Sequence, residues 1–144
     1  SEENNKQLYA WIRDKVCYIK PYTKTTISKD FTPKLKNILK RDLNLERPNA
    51  VWYTDITYIW TYDEGFVYLT SVMDLYSRKI ISWVLTRDMN AKSVLECINI
   101  AKTKRNIDKP LIIHSDRGIQ YTSEEYRKIT EKMERSYSKK VTIG

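Results

Sequence analysis

Val51-Trp52-Tyr53-Thr54-Asp55-Ile56-Thr57-Tyr58-Ile59-Trp60 is a run dense in β-branched and aromatic residues, the side chains that suit a pleated surface. It is the clearest strand in the chain, and its neighbours extend it. Asp63-Glu64-Gly65 supplies a turn with one residue free to take positive φ, and residues 66–73 form a second apolar run, so the two predict a hairpin. The turn Tyr76-Ser77-Arg78 leads to a third apolar stretch over 79–85. Three antiparallel strands in succession, apolar on both faces, require a sheet covered by helices.

The chain beyond the meander changes period. Asn90 is placed to cap a helix whose Ala91, Val94, Leu95, Ile98 and Ala101 form one apolar stripe. Lys109-Pro110 ends it, and Leu111-Ile112-Ile113 is a short buried strand running into His114-Ser115-Asp116. Thr122 and Glu125 have the spacing of a capping box and predict a helix with Tyr126, Ile129 and Met133 inward. A last strand is expected at 134–137. Before the meander, Leu8, Trp11, Ile12 and Val16 predict a short amphipathic helix over 8–19, and Leu35, Ile38, Leu39 and Leu45 a second over 33–45. A polar, Thr- and Lys-rich linker joins them. The composition shifts at Pro48, dividing the chain into a helical segment with its linker, 1–48, and an α/β unit, 49–144.

At 144 residues, with 41% apolar side chains, the chain can bury one core and hardly two. No stretch is long and apolar enough to span a bilayer, and no secretory signal opens the chain, so a cytoplasmic protein without a membrane partner is expected. Ser at position 1 points to a processed chain or a piece of a longer one. Cys17 and Cys97 are too few and too far apart for a disulfide framework or a thiolate metal site. The net charge is +8, with 11 basic and 6 acidic residues in 1–48 against 15 and 12 in 49–144. Such a surplus attracts polyanions, nucleic acid foremost, although it also serves plain solubility.

Asp55 interrupts an apolar strand, where an unpaired charge is costly. Either Thr54, Thr57 or a backbone group satisfies it locally, or it holds a cation. Asp116 follows the end of another short strand, the edge at which open α/β sheets build their sites. If those strands are neighbours, the two carboxylates converge, and hard oxygen ligands of that kind select Mg²⁺ or Mn²⁺. Asp74 reads as a turn residue bonded to backbone or to Arg78. His114 is the only histidine, which excludes a His-rich zinc site. His114-Ser115-Asp116 cannot form a hydrolase triad, because consecutive strand residues face opposite ways. No P-loop or G-x-G-x-x-G is present.

Three ordered motifs, Trp52-Tyr53-Thr54-Asp55-Ile56-Thr57-Tyr58, Asp74-Leu75-Tyr76-Ser77-Arg78-Lys79-Ile80 and His114-Ser115-Asp116-Arg117-Gly118-Ile119-Gln120-Tyr121, resemble the catalytic core of bacterial insertion-sequence transposases related to retroviral integrase. The likeness covers roughly Arg47 to Lys140. It implies a ribonuclease-H-like α/β fold with a mixed sheet of about five strands in the order β-β-β-α-β-α-β. Residues 8–20 are similar to the closing helix of the helix-turn-helix module that precedes such cores. The resemblance further implies metal-dependent phosphodiester cleavage and strand transfer at transposon ends, with Asp55 and Asp116 as catalytic residues and ligands of Mg²⁺ or Mn²⁺. Arg117, Gln120, Tyr121, Lys139 and Lys140 would then contact DNA. The partners would be double-stranded DNA, at transposon ends and target, and further copies of the chain assembled on it. The family pattern continues into a helix bearing a catalytic Glu, whereas this sequence stops at Val141-Thr142-Ile143-Gly144. The expectation is therefore a core lacking its last helices and third carboxylate, catalytically inactive as it stands, with an exposed apolar patch on the uncovered sheet face.

Overall fold

The computed structural model describes Lys6, Gln7, Ala10 and residues 45–138. The two helices expected over 8–19 and 33–45 lie outside the described residues, apart from Ala10, which is helical, and Leu45, which is not. Lys139 and Lys140 also lie outside them.

The elements follow the order the sequence predicts. Strand β1 (Val51–Thr61), β2 (Gly65–Asp74) and β3 (Lys79–Thr86) form the antiparallel meander. Helix α1 (Ala91–Lys104) crosses to β4 (Ile112–Ser115), and α2 (Glu124–Ile129) leads to β5 (Glu134–Tyr137). The sheet order is β3-β2-β1-β4-β5, with β4 parallel to β1 and β5 parallel to β4. Gly65 takes φ 71°, the left-handed conformation that closes the β1–β2 turn.

Alternation along β1 sends Trp52, Thr54 and Ile56 to one face, opposite Asp74, Val72 and Thr70 of β2. Helix α1 covers this face with Val94, Cys97, Ile98 and Ala101, all fully buried. Its N-terminus is capped as expected: Asn90 Oδ1 accepts from the Ser93 amide at 2.9 Å. The helix also bonds to the sheet beneath it, with Ser82 Oγ donating to the Cys97 carbonyl at 2.7 Å and Thr70 meeting Ser93 hydroxyl to hydroxyl at 3.1 Å. Cys97 is a free, buried thiol that burial pushes up to about 11, which makes it a small apolar core residue. A register shift in the β2–β3 ladder lets consecutive residues Ile81 and Ser82 both be buried.

Two expectations are corrected. The capping box at Thr122 and Glu125 is not formed: Ser123 is the N-cap, its Oγ accepting from the Tyr126 amide at 3.2 Å, while Thr122 donates back to the Ile119 carbonyl. The 3₁₀ turn Ile119–Tyr121 uses Thr122 to close itself, which passes the cap to the next residue. The helix ends at Ile129, so Met133 reaches the core from the turn that follows it. On the second sheet face Tyr53, Leu69, Met73, Trp83 and Leu85 are each partly exposed, and among the described residues the most exposed large apolar side chains are Trp60, Tyr62, Tyr76 and Ile119.

Candidate active site

Asp55 lies mid-way along β1, opposite Ser71 of β2 and on the face away from Trp52 and Thr54. The parallel β1–β4 ladder pairs Tyr53 with His114. Two residues further on each strand, at the same offset, stand Asp55 and Asp116, the latter one residue beyond the end of β4. The geometry that sequence could state only conditionally is therefore present: the strands are neighbours and the carboxylates converge. Beneath them the rings of Tyr53 and His114 stack with centroids 5.8 Å apart. His114 Nδ1 is 2.9 Å from Ser136 Oγ on β5, so this layer links three strands. Burial lowers the His114 pKa, which favours the neutral ring in that stack.

The electrostatics follow from this packing. Burial raises the Asp55 pKa, the Ile56 amide hydrogen bond opposes that rise, and the negative charge of Asp116 adds to it. Of the local partners considered for Asp55, a backbone amide is the one found, and it does not cancel the cost of burial. Asp116 is held by its own loop, the Gly118 amide donating to Oδ1 at 2.8 Å. A Cβ on Gly118 would lie 2.9 Å from that same oxygen and 2.9 Å from Gln120 Oε1, so only glycine fits the turn as it stands. Sequence reasoning did not single out Gly118, although a glycine two residues after a candidate aspartate is the signal of such a turn.

Across the sheet from Asp55 lies a buried layer of hydroxyls. Thr54, Ser115, Tyr121 and Tyr126 are all almost fully enclosed. The Tyr121 hydroxyl neighbours Thr54, and that of Tyr126 neighbours Ser115, but neither pair has the geometry of a formed hydrogen bond. Burial foremost keeps both phenols protonated. Tyr121 is thus a correction. Expected at the approach to DNA, it is 1% exposed, its ring edge-on to Tyr126 at 5.6 Å and its carbonyl accepting from the Tyr137 hydroxyl. Arg117 is half-buried and donates from Nε to the Ser138 carbonyl at 2.7 Å, and Gln120 is half-buried beside Gly118. Ile119, between them, is 55% exposed.

Asp74 takes the structural role its turn suggested. It is fully buried and accepts from the Asn49 amide at 3.2 Å, the Tyr76 amide at 3.4 Å and Ser77 Oγ at 2.7 Å. It fastens the segment before β1 to the β2–β3 turn, where Arg78 adopts φ 56°. The donor chemistry of Asp55 and Asp116 suits a hard divalent cation, whose charge would offset the burial and the Asp116 charge that raise Asp55. Among the described residues, no group of three or more His, Cys, Asp or Glu side chains comes together to hold a metal.

The five-stranded mixed sheet, with its antiparallel meander, crossover helix and carboxylates on adjacent strands, defines a ribonuclease-H-like core. The integrase core domain family matches residues 46–138, and the chain belongs to that family. It is 39% identical over 95 residues to transposase InsF for insertion sequence IS3A of Escherichia coli K12, a match covering 66% of this chain and 33% of that protein. Over 91 residues it is 40% identical to the transposase for insertion sequence element IS904 of Lactococcus lactis, covering 63% and 36%. The chain thus spans about a third of the length of these relatives. Among solved structures, the HTLV-2 integrase catalytic core domain in complex with magnesium superposes with a TM-score of 0.54 at 22% identity, covering 63% of this chain and 60% of that one. No helix among the described residues is long and apolar enough to cross a membrane.

Proposed function

We propose that this chain is the catalytic-core portion of a DNA transposase that cuts and joins double-stranded DNA at transposon ends and target, with Asp55 and Asp116 as the residues that hold Mg²⁺ or Mn²⁺. The observation that carries the reading is the convergence of these two carboxylates, from neighbouring parallel strands, close enough for the charge of Asp116 to raise the pKa of Asp55. Asp55 and Asp116 would hold the cations, which would supply Lewis-acid stabilisation of the phosphodiester and its attacking hydroxyl. The protein's own groups do the rest. The Ile56 and Gly118 amides orient the carboxylates, the Tyr53–His114 stack packs beside them on the same face, and the buried Thr54 and Tyr121 fill the opposite side of the sheet. Arg117 and Gln120 would contact the DNA on this reading, as would Lys139 and Lys140 from the sequence that follows.

The division at residue 48 into a leading helical segment and the core is part of this reading, supported by the family match beginning at residue 46. So are assembly as a homo-oligomer on DNA and a place in the bacterial cytoplasm, associated with the nucleoid when bound. The test is nicking and strand transfer on duplex DNA bearing the element's end, with Mg²⁺ or Mn²⁺. Activity is expected to vanish in Asp55→Asn and in Asp116→Asn, and activity surviving both substitutions refutes the assignment. A second reading, DNA binding without catalysis, draws on the lack of a third ligand among the described residues. It expects duplex binding and weak cation uptake without strand transfer, since Mg²⁺ keeps its waters when few ligands are offered.

A further inference from the structure

The positive surplus of the core is not spread over it. Residues 49–144 carry 15 Lys and Arg against 12 Asp and Glu, and 102–109 alone holds Lys102, Lys104, Arg105 and Lys109 against Asp108. Outside those eight residues the balance is 11 against 11, so the entire surplus sits in the exit of α1 and the loop that follows. That loop borders a groove of about 490 Å³ walled by Lys102, Arg105, Lys109 and Lys132, with Asp108 also on its rim and Ile129 and Met133 in its floor. Lys102, Lys109 and Lys132 are exposed. Among the described residues none of the four cations is in an ion pair, and Lys102 spends one donor on the Ile129 carbonyl at 3.2 Å. A second hollow beside it, sharing Asp108 and Lys109, adds Arg47 to the same strip.

Favourable charge at a helix C-terminus accounts for Lys102 and Lys104 alone. It does not account for Lys109 and Lys132, which come from different loops and face the same hollow. We propose that this groove is a second DNA contact, gripping the phosphate backbone of a duplex at the opposite end of the sheet from the carboxylates. Pro110 and Met133 on its border immediately precede β4 and β5, whereas Asp116 follows β4. The strand between them, Ile112–Ser115, rises about 10 Å over its three steps, so the groove and the carboxylates sit at opposite ends of β4. The inference rests on the reading of the chain as DNA-binding, but it does not depend on catalysis.

The test is the salt dependence of binding of the full chain to a fluorescent duplex of arbitrary sequence, followed by anisotropy. The exposed triple variant Lys102→Gln, Lys109→Gln, Lys132→Gln is expected to reduce the slope of log affinity against log salt by about three, one for each phosphate no longer neutralised. The equally charged control Arg78→Gln, Lys79→Gln, Lys92→Gln leaves the slope near the wild-type value, and replacing the groove lysines by Arg restores it. Thermal melts confirm that each variant is folded. Equal slopes for groove variant and control, or a wild-type chain that binds no duplex at low salt, overturn the proposal. Asp55→Asn separates the two readings. Loss of nicking with groove-dependent binding intact keeps both, cutting that ignores the groove lysines removes the groove alone, and groove-dependent binding without cation-dependent cutting removes only the catalytic reading.

Discussion

Replacing Gly118 by alanine should uncouple the position of Asp116 from the stability of the fold. The backbone at Gly118 has φ −59° and ψ 152°, an ordinary region for any residue, so the substitution introduces no backbone strain. What it introduces is a methyl group 2.9 Å from Asp116 Oδ1 and 2.9 Å from Gln120 Oε1, where ordinary contact begins near 3.4 Å. Each oxygen must retreat by about 0.5 Å, judged against normal van der Waals separation. Gln120 can swing aside, being half-buried at the end of a flexible side chain. Asp116 cannot do so freely, because the same oxygen is held by the Gly118 amide at 2.8 Å. The expected stability loss is one weakened hydrogen bond, about 0.5–1.5 kcal/mol, or a few degrees in Tm for a domain of this size. The expected functional loss is larger. A misplacement of about 1 Å in a reacting constellation costs roughly 10²-fold, so on the proposed catalytic reading half that displacement should lower cation-dependent DNA nicking by about tenfold or more. Calorimetric titration with Mn²⁺ should show weakened binding in parallel. A Gly118→Ala chain that nicks DNA and takes up cation like the wild type would show that the amide-held orientation of Asp116 is irrelevant to the chemistry.

Asp55 makes a pH prediction of definite sign. Its carboxyl is raised, by burial first, so the folded state holds a proton more readily than the unfolded chain. Stability is therefore fullest below the ordinary aspartate range and falls as pH rises through the raised value. In EDTA, Asp55→Asn should remove that decline and melt above the wild type at pH 7, while Mg²⁺ should raise the Tm of the wild type only; a lower Tm for the variant across the whole range would contradict the sign. Asp74→Ala leaves three donors without their acceptor and should cost about 2–4 kcal/mol in urea unfolding. Tyr126→Phe deletes a buried hydroxyl that has no hydrogen-bond partner and should change stability by less than about 1 kcal/mol, where a larger loss would reveal a bond to Ser115.

The strands and the crossover helix were legible because their cues are local and redundant. β-branched density, turn residues at 63–65 and 76–78, and the Asn90 cap place the strand boundaries and the helix start to within two residues, whereas the helix ends at Lys104, five residues before the Lys109-Pro110 stop signal. The site was half legible. Sequence marks Asp55 and Asp116 as costly or edge-placed carboxylates, but their convergence depends on which strands pair, a non-local fact that the parallel β1–β4 ladder supplies. Tyr121 was misplaced because a tyrosine carries both an apolar ring and a polar tip, and nothing in the sequence shows that Tyr126 will take the ring edge-on. The cap moved from Thr122 to Ser123 because two adjacent hydroxyl residues offer equivalent chemistry and the preceding 3₁₀ turn chooses between them. Gly118 escaped notice because its importance lies in an absence, the missing Cβ beside Asp116.

The pairing of β1 with β4 across sixty intervening residues also has a kinetic meaning. The meander can zip up from its turns on a timescale of microseconds, since each hairpin closes a short loop. The acidic pair cannot exist until the helical crossover has docked and the far strand has slotted in alongside, a closure whose entropy is lost before its contacts reward it. A chain emerging from the ribosome therefore carries Asp55 for some time as an isolated charge on a nascent ribbon, unable to gather ions. On the proposed reading of the site, cation uptake would require β4 to have docked beside β1, so it would report whether that long-range pairing has formed.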